Sequence, residues 1–273
     1  MKTVVLLTNF SETSRKAIIG YLKVYSKHVK ENSKFILLNT YKRIKTGQSQ
    51  MVRFEDILEQ YSKEDLKSEM QKIHNIPELQ NLDIEPHSVY GDLVDVVEKI
   101  NKEKEIDLIV MGTKGSNLLR ELLMGSDTDR LIRLSKTPVL VIPESIEFKK
   151  PDKIVFATNL EECKNKAEFR KLIEIIKSFD AELLILNVYK ENKPTVPFFE
   201  SRIEDELEDI KRSFSYVHNP DIAEGITEFA KNNKAQLLTI IDHKANILSQ
   251  LFKHRVKYKL THSAELPLLI IHE

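Results

Sequence analysis

The feature that most constrains this chain is a set of four apolar segments that occur twice in the same order. The matching pairs are residues 2–10 with 153–160, 35–41 with 183–189, 107–111 with 237–241, and 137–144 with 266–273. A repeat of this kind predicts a duplicated structural unit. We therefore expect one domain over residues 1–146 and a second over residues 147–273, with the charged connector PESIEFKKPDK at the join.

Each apolar segment is short, rich in Val, Ile and Leu, and free of polar alternation, which is typical of strands buried on both faces of a parallel sheet. Helical periodicity follows between them, with Ser11 and Asp92 as N-cap candidates and an additional helix over residues 51–74. The predicted fold class is α/β, with two tandem doubly wound parallel-sheet domains of α/β/α layering, Rossmann-like and similar to adenine-nucleotide hydrolases. Sheets of this type bind ligands at the carboxyl ends of their strands, where the strand order reverses.

Composition excludes several classes of protein. The chain carries 42 basic and 42 acidic residues, so nothing in its charge favours nucleic acid or an anionic membrane as a partner. A single cysteine, Cys163, excludes a disulfide framework and fits a reducing compartment. The N-terminal apolar run, Val4 to Leu7, is too short for a signal-peptide core, and no stretch approaches the ~20 apolar residues of a membrane span. We expect a cytoplasmic protein.

Glycine supplies the most specific functional signal. The chain has only seven glycines, yet Gly112, Gly115 and Gly125 lie within 14 residues, in the spacing G-x2-G-x9-G-S that directly follows a predicted strand. Glycines let the backbone turn sharply and approach a ligand closely. Ser126 begins the next helix, whose free N–H groups can hold an anion, and Lys114 adds a positive charge. The pattern predicts a site for the polyphosphate of a nucleotide; the alternative is that the glycines serve only as turn and cap residues.

Other reactive side chains form no recognisable site. The spacing of His243, His254, His262 and His272 matches no standard zinc pattern. Asp127 and Asp129 form a D-x-D pair that could hold Mg²⁺ beside a nucleotide, although the pattern favours a solvated helix start, and Cys163 has no resolving partner. We therefore predict no metal site and no catalytic residue.

The motifs TNFSETSRKA, VYGD, LIVMGTKG and GSDTDRLIRLSKTPVLVIP together resemble the universal stress protein family in its tandem two-domain form. The resemblance covers nearly the whole chain, and G-x2-G-x9-G-S marks the members of that family that bind ATP. It implies a site for ATP, alone or with Mg²⁺. The implied binding residues are Leu7, Thr8 and Asn9 after the first strand, Thr40 beside the adenine, and Gly112, Lys114, Gly115, Gly125, Ser126 and Asp127 around the phosphates.

Two residues depart from the family pattern. Asn9 stands where an aspartate is usual, which keeps hydrogen bonding but loses the charge. Asp127 stands where a small apolar residue is usual, and its carboxylate would repel phosphate unless it points outward or a divalent cation bridges the two.

The second copy lacks the loop, because Asp242, Ala245 and Arg255-Val256 replace the three glycines and the serine. We predict that it does not bind ATP and that its role is structural. In this family the last strands of two domains pair, so the resemblance implies an intramolecular pseudo-dimer in which Val139–Ile142 lies against Leu268–Ile271, with a homodimer of whole chains as a further option.

The sequence thus favours an ATP-binding stress or regulatory protein with one site in the N-terminal domain and, at most, slow ATP hydrolysis. One rival is an interaction or dimerisation module of the same fold that binds no nucleotide, which Asn9, Asp127 and the bare second copy support. Another is an enzyme of the wider adenine-nucleotide hydrolase and nucleotidylyl-transferase type, although the HxGH and SGGxDS-like motifs of those enzymes are absent from the sequence.

Overall fold

The structure, a computed structural model, describes residues 3–28, 33–42, 51–114, 127–159, 166–191, 203–242 and 266–272. Strands and helices alternate along both halves. The first half contains β1 (Thr3–Leu7), α1 (Glu12–His28), β2 (Lys34–Tyr41), α2 (Met51–His74), β3 (Ile84–Tyr90), α3 (Leu93–Lys104), β4 (Leu108–Thr113), α4 (Asp127–Leu134) and β5 (Val139–Pro143). The second contains β6 (Lys153–Ala157), α5 (Lys166–Phe179), β7 (Glu182–Tyr189), a short 3-10 helix (Glu204–Leu207), β8 (Arg212–His218), α6 (Ile222–Asn232), β9 (Leu237–Asp242) and β10 (Leu268–His272).

The strands form one ten-stranded sheet in the order β3-β2-β1-β4-β5-β10-β9-β6-β7-β8. Neighbours within each half are parallel, and β5 and β10 pair antiparallel across the join, with Val139 opposite Ile270 and Val141 opposite Leu268. Because that pairing is antiparallel, the carboxyl ends of the strands in the two halves lie at opposite edges of the sheet. The predicted α/β fold class is confirmed, and the four repeated apolar segments form β1, β2, β4 and β5 and then β6, β7, β9 and β10.

Two hydrophobic cores, one on each face of the sheet, hold the helices in place. Successive residues of a strand point to opposite faces, so Leu6 and Phe156 belong to the core beneath α1, α2 and α5, whereas Val5 and Val155 belong to the core beneath α3, α4 and α6. Both cores continue across the join between the halves. The apolar strand segments are therefore buried on both faces, as their lack of polar alternation predicts.

The predicted helix caps are present. Ser11 precedes α1, and its Oγ accepts a hydrogen bond from the Ser14 N–H at 3.2 Å. Asp92 is the N-cap of α3, and its Oδ1 accepts a hydrogen bond from the Val94 N–H at 3.0 Å. Each side chain satisfies an N–H group that the helix itself cannot pair. The additional helix predicted over residues 51–74 is α2.

The two edge strands differ from the eight inner ones because they are only half-buried. In β3, Glu85 and Pro86 are exposed, and both residue types discourage pairing with another strand. Hydrogen bonds from Lys104 and His87 lower the pKa of Glu85 to about 2, so this edge keeps its negative charge at neutral pH. None of the helices within the described ranges is long and apolar enough to cross a membrane.

The connector between the halves is charged, as predicted, but it also contains a buried anchor. The Phe148 ring is 5% exposed and lies 6.3 Å from the ring of Tyr21 in α1 and 6.4 Å from that of Phe179 at the end of α5. Gly20 lies beneath it, and a Cβ at that position would be 3.2 Å from the Phe148 Cβ. One aromatic side chain thus joins the helix layers of both halves.

Phe148→Ala is expected to lower the free energy of unfolding by about 3–5 kcal/mol, because it leaves a cavity between α1 and α5. The change is measured as a fall in the midpoint of urea denaturation. Tyr61→Ala is the control, since the Tyr61 side chain is 61% exposed and its loss should cost less than about 0.5 kcal/mol. Equal effects of the two substitutions would contradict the anchoring role of Phe148.

Candidate functional site

The strand order predicts a ligand-binding crevice at the carboxyl ends of β1 and β4. These neighbouring strands are followed by helices on opposite faces of the sheet, α1 on one and α4 on the other. The strand order reverses at this point, and sheets of this type bind ligands at such a reversal. Most of the binding residues predicted from the sequence lie around this crevice.

The turn from β1 into α1 is closed by short-range hydrogen bonds. The Thr8 Oγ1 accepts a hydrogen bond from the Phe10 N–H at 3.0 Å, and the Asn9 Oδ1 accepts from the Ser11 N–H at 3.2 Å and the Ser11 Oγ–H at 2.6 Å. Phe10 has a φ of 63°, a conformation that costs energy for a bulky side chain. The turn is therefore rigid and holds Asn9 at the mouth of the crevice.

A buried ion pair supports the same turn from the α1 and α2 layer. The Arg15 guanidinium donates to both carboxylate oxygens of Glu69, at 2.6 and 2.9 Å, and also to the Phe10 carbonyl at 3.4 Å. The Glu69 side chain is 1% exposed, and its hydrogen bonds to Arg15 raise the pKa of that guanidinium. This bidentate pair fixes the distance between the two helices and the turn.

The side chains of Thr8 and Asn9 face different environments. Thr8 is buried, and its hydroxyl lies 3.4 Å from that of Ser14, so it shapes the turn from inside. Asn9 is exposed, and its Oδ1 is committed to Ser11; within the described residues its amide nitrogen has no hydrogen-bond partner. The side chain therefore offers a donor at the crevice, whereas an aspartate there would offer none.

Leu7 and Thr40 lie on the α3 and α4 face of the sheet. Leu7 is opposite Leu38 in the register, both belong to the core on that face, and strand alternation puts Thr40 on the same side. Thr40 is half-buried. The structure thus places these two predicted residues on the same face, near the carboxyl ends of neighbouring strands.

Asn39, at the end of β2, lies at the centre of a chain of hydrogen-bonded polar groups. Its Nδ2 donates to the Thr8 carbonyl at 2.8 Å, its Oδ1 accepts from the Ser62 Oγ–H at 2.8 Å, and Ser88 donates to Ser62 at 2.7 Å. The chain connects β1, β2, α2 and β3. It fixes the relative positions of the strand ends that border the crevice.

Close packing against α1 explains why position 112 is a glycine, and the sequence alone did not indicate this contact. A Cβ at this position would lie 2.6 Å from the Thr13 carbonyl oxygen and 3.0 Å from the Ala17 Cβ. The first turns of α1 therefore pack directly on the end of β4, and only glycine permits that approach. The contact with α1 is by itself enough to require glycine at this position. That Gly112 also lets the backbone approach a ligand stays a prediction.

The residues after Gly112 lie at the carboxyl end of β4. Thr113 follows it on the α3 and α4 face, by the alternation of Ile109 and Met111 on that face, and its hydroxyl is buried without a hydrogen-bond partner in the described structure. Lys114 follows and is exposed. A buried hydroxyl without a partner carries a desolvation cost that a ligand atom could remove. Sequence reasoning missed Thr113.

The remaining predicted residues follow Lys114. Gly115, Gly125 and Ser126 lie outside the described residues, and the described chain resumes at Asp127, the first residue of α4. α4 begins where the predicted phosphate loop ends.

A charged cluster that sequence reasoning also missed joins three elements at this edge. The Asp92 Oδ2 accepts hydrogen bonds from the Lys42 Nζ at 3.0 Å and from the Arg130 Nη1. Lys42 follows β2, Asp92 precedes α3, and Arg130 lies in the first half of α4. Partial burial acts to raise the pKa of Asp92, but hydrogen bonds from Lys42, Arg130 and the Val94 N–H together lower it below the ordinary 3.8. Two cations therefore share one carboxylate.

The second half repeats parts of this arrangement at the opposite edge of the sheet. The Asn187 Nδ2 donates to the Thr158 carbonyl at 2.8 Å, as Asn39 does to Thr8, and Asp221 caps α6 as Asp92 caps α3. The Asn187 Oδ1, however, is buried and has no hydrogen-bond partner in the ranges described. Asp242, which replaces Gly112 in the sequence alignment of the halves, is the last residue of β9.

Comparison with known proteins agrees with the first half of the chain. Residues 1–143 match the model of the Universal stress protein family, which is more than half of the chain. The chain belongs to the universal stress protein family. This finding confirms the resemblance drawn from the sequence motifs.

Two relatives in Methanocaldococcus jannaschii, both named universal stress proteins, match shorter segments. One is 33% identical over 89 residues, which cover 33% of this chain and 55% of the relative. The other is 30% identical over 98 residues, covering 36% of this chain and 54% of the relative. The chain therefore spans about half the length of the curated relatives it matches.

A crystal structure of a universal stress protein from Archaeoglobus fulgidus is similar over the full length. The TM-score is 0.71, with 17% sequence identity over 99% of this chain and 98% of that one. At this identity the similarity supports the fold alone, and it extends the universal stress protein fold to both halves.

Asp92→Asn is expected to lower the free energy of unfolding by about 1 kcal/mol at pH 7, because asparagine still caps α3 but loses the charge that attracts Lys42 and Arg130. The pKa of Asp92 is lower in the folded protein, so its contribution is complete above pH 3.8 and is lost as pH falls through the folded pKa. Urea denaturation between pH 7 and pH 3 measures the difference, which should shrink at the acidic end.

Asp95→Asn provides the matched control, since Asp95 is exposed in the first turn of the same helix and has no hydrogen bond or ion pair within the described chain. It should change stability by less than about 0.5 kcal/mol. A pH-independent effect of Asp92→Asn would contradict the assignment of an ionic role.

Proposed function

We propose that this universal stress protein binds ATP, alone or with Mg²⁺, at one site in its N-terminal half and acts as a cytoplasmic stress or regulatory protein. One observation carries the proposal: the G-x2-G-x9-G-S sequence begins at the end of β4, at the reversal point of the strand order, and leads into α4. Such loops bring backbone N–H groups and a helix N-terminus to one anion. Gly115, Gly125, Ser126 and the Asp127 N–H would hold the phosphates.

The described residues fit an anionic ligand with a flat base. The cationic side chains of Lys42, Lys114 and Arg130 lie at this edge, which favours an anion such as phosphate. The Thr113 hydroxyl, which has no hydrogen-bond partner among the described residues, offers a buried polar group between Gly112 and Lys114. Half-buried Thr40 would contact the base, Leu7 would support it from the core, and the Asn9 amide supplies a donor.

The second half has a structural role in this proposal. It lacks the glycine loop, and β10 covers the apolar edge of β5 as the partner strand of a dimer would. The predicted boundaries, residues 1–146 and 147–273, are part of the same proposal. Among the described residues there is no group of three histidine, cysteine or carboxylate side chains that could hold a metal ion.

An interaction module without nucleotide is the second candidate. The observation that favours it is the commitment of the Asn9 Oδ1 to the Ser11 N–H and Oγ–H, which leaves this side chain fewer groups for a ligand than the family pattern predicts. In that case the edge bearing Lys42, Arg130 and Lys114 would contact a protein.

The test of the main proposal is to purify the protein without added nucleotide, denature it, and identify released nucleotide by anion exchange and mass spectrometry. Isothermal titration with Mg-ATP then gives the affinity. Gly125→Val should weaken binding by more than about tenfold, because a β-branched side chain blocks backbone approach to phosphate. Ala245→Val, at the position equivalent to Gly115 in the second half, should leave affinity unchanged.

A wild-type protein that carries no nucleotide and shows neither titration heat nor a melting shift with millimolar Mg-ATP would overturn the proposal in favour of the interaction module. Binding retained in Gly125→Val would place the nucleotide away from the glycine loop.

Thr113→Val separates a ligand-binding role from a structural one. Removing a buried hydroxyl without a partner should raise the free energy of unfolding by about 1 kcal/mol. The same change should weaken ATP binding by roughly two- to tenfold if the hydroxyl bonds the ligand. Thermal melting and titration calorimetry measure the two quantities.

The control is Thr13→Val. Thr13 has an equally buried hydroxyl without a partner in the described residues, but it lies in α1 on the other face of the sheet. Its substitution should leave ATP affinity unaltered. Loss of affinity in both variants would show that the effect of Thr113→Val is not local.

A further inference from the structure

A histidine of the second half caps a helix of the first. The Nε2 of His272, at the end of β10, hydrogen-bonds the backbone carbonyl of Ile132 in α4. A carbonyl oxygen only accepts, so the histidine nitrogen carries the proton and donates. Ile132 lies in the last turn of α4, where carbonyl groups have no partner within the helix. The contact therefore satisfies a free carbonyl across the join between the halves.

α4 depends on contacts of this kind because it is short. It has 8 residues, and isolated helices below about 12 residues are marginal in water, so packing determines whether and where it forms. Its buried side chains, Leu131 and Ile132, are fully covered and belong to the same core as Leu268 and Ile270 of β10. The helix that follows the glycine loop thus packs partly on the second half.

The direction of β10 makes the cap feasible. β10 runs antiparallel to β5, so its C-terminal end lies at the amino end of β5, which is also where α4 ends before the chain enters β5. Leu134 and Val139 are separated by only four residues. A parallel pairing would have carried His272 to the other edge of the sheet.

We propose that His272 is a positioning residue for the nucleotide site: by capping the C-terminal end of α4 it fixes the helix axially and so sets the N-terminal end that faces the phosphates. The second half, which lacks its own glycine loop, then controls the affinity of the first. This inference rests on the proposed ATP site for its effect on binding, while the cap on α4 stands independently of it.

The experiment compares His272→Leu with His272→Gln in the full chain. Glutamine keeps a donor at a similar distance from the backbone, whereas leucine removes it. Hydrogen exchange read by mass spectrometry on the peptide covering residues 127–135, without nucleotide, reports the cap. His272→Leu should speed exchange there by about two- to tenfold, the equivalent of one neutral hydrogen bond, and weaken Mg-ATP binding by a similar factor. His272→Gln should restore most of both.

His218→Leu is the matched control. The His218 Nε2 lies 2.9 Å from the Lys190 carbonyl, a bond of the same type at the outer edge of the second half, far along the sheet from α4. This variant should leave exchange in α4 and ATP affinity unchanged, which separates the cap from a general loss of stability.

Three results would overturn the inference: unchanged α4 exchange in His272→Leu, a glutamine variant as impaired as the leucine variant, or an equal effect of His218→Leu on α4. Altered exchange with unaltered ATP affinity would also overturn it, because the cap would then not govern the site. If the wild-type protein binds no ATP, the proposed function fails, and the exchange data still decide whether His272 caps α4.

Discussion

The antiparallel pairing of β5 with β10 is the interaction on which the rest of the structure depends. It turns two five-stranded parallel sheets into one sheet of ten strands and covers two edges made of Val, Leu and Ile, which would otherwise be open to water and to other chains. Both hydrophobic cores pass through this pairing. It also sets the direction of each half, so that the carboxyl ends of their strands lie at opposite edges of the sheet.

The candidate site is held by contacts that lie behind it. Thr8 and Ser11 close the β1–α1 turn, the Arg15–Glu69 pair supports that turn from the helix layer, and Asn39 ties the strand ends together. Much of the polar bonding capacity near the crevice is therefore used for rigidity.

Much of this could be predicted from the sequence. The apolar segments identified eight inner strands, because strands buried on both faces need continuous Val, Ile and Leu. Ser11 and Asp92 were recognisable as caps, since a cap bonds N–H groups two or three residues away. The edge strands β3 and β8 contain no continuous apolar segment, because each is only half-buried and mixes polar with apolar residues. The buried anchor Phe148 was also missed, since a single aromatic residue in a charged connector forms no pattern.

The sequence by itself determined the type and order of the elements, the caps, and the glycine spacing that separates the two halves. Only the tertiary structure decided which distant residues meet: Lys42, Asp92 and Arg130 at the crevice, Gly112 beneath Thr13, and His272 on Ile132. The physical reason is the distance along the chain over which each kind of interaction acts. Periodicity, capping and turn chemistry act within a few residues, whereas these contacts join positions that strand order and register bring together. Those depend on the burial of the whole sheet and cannot be read from any one segment.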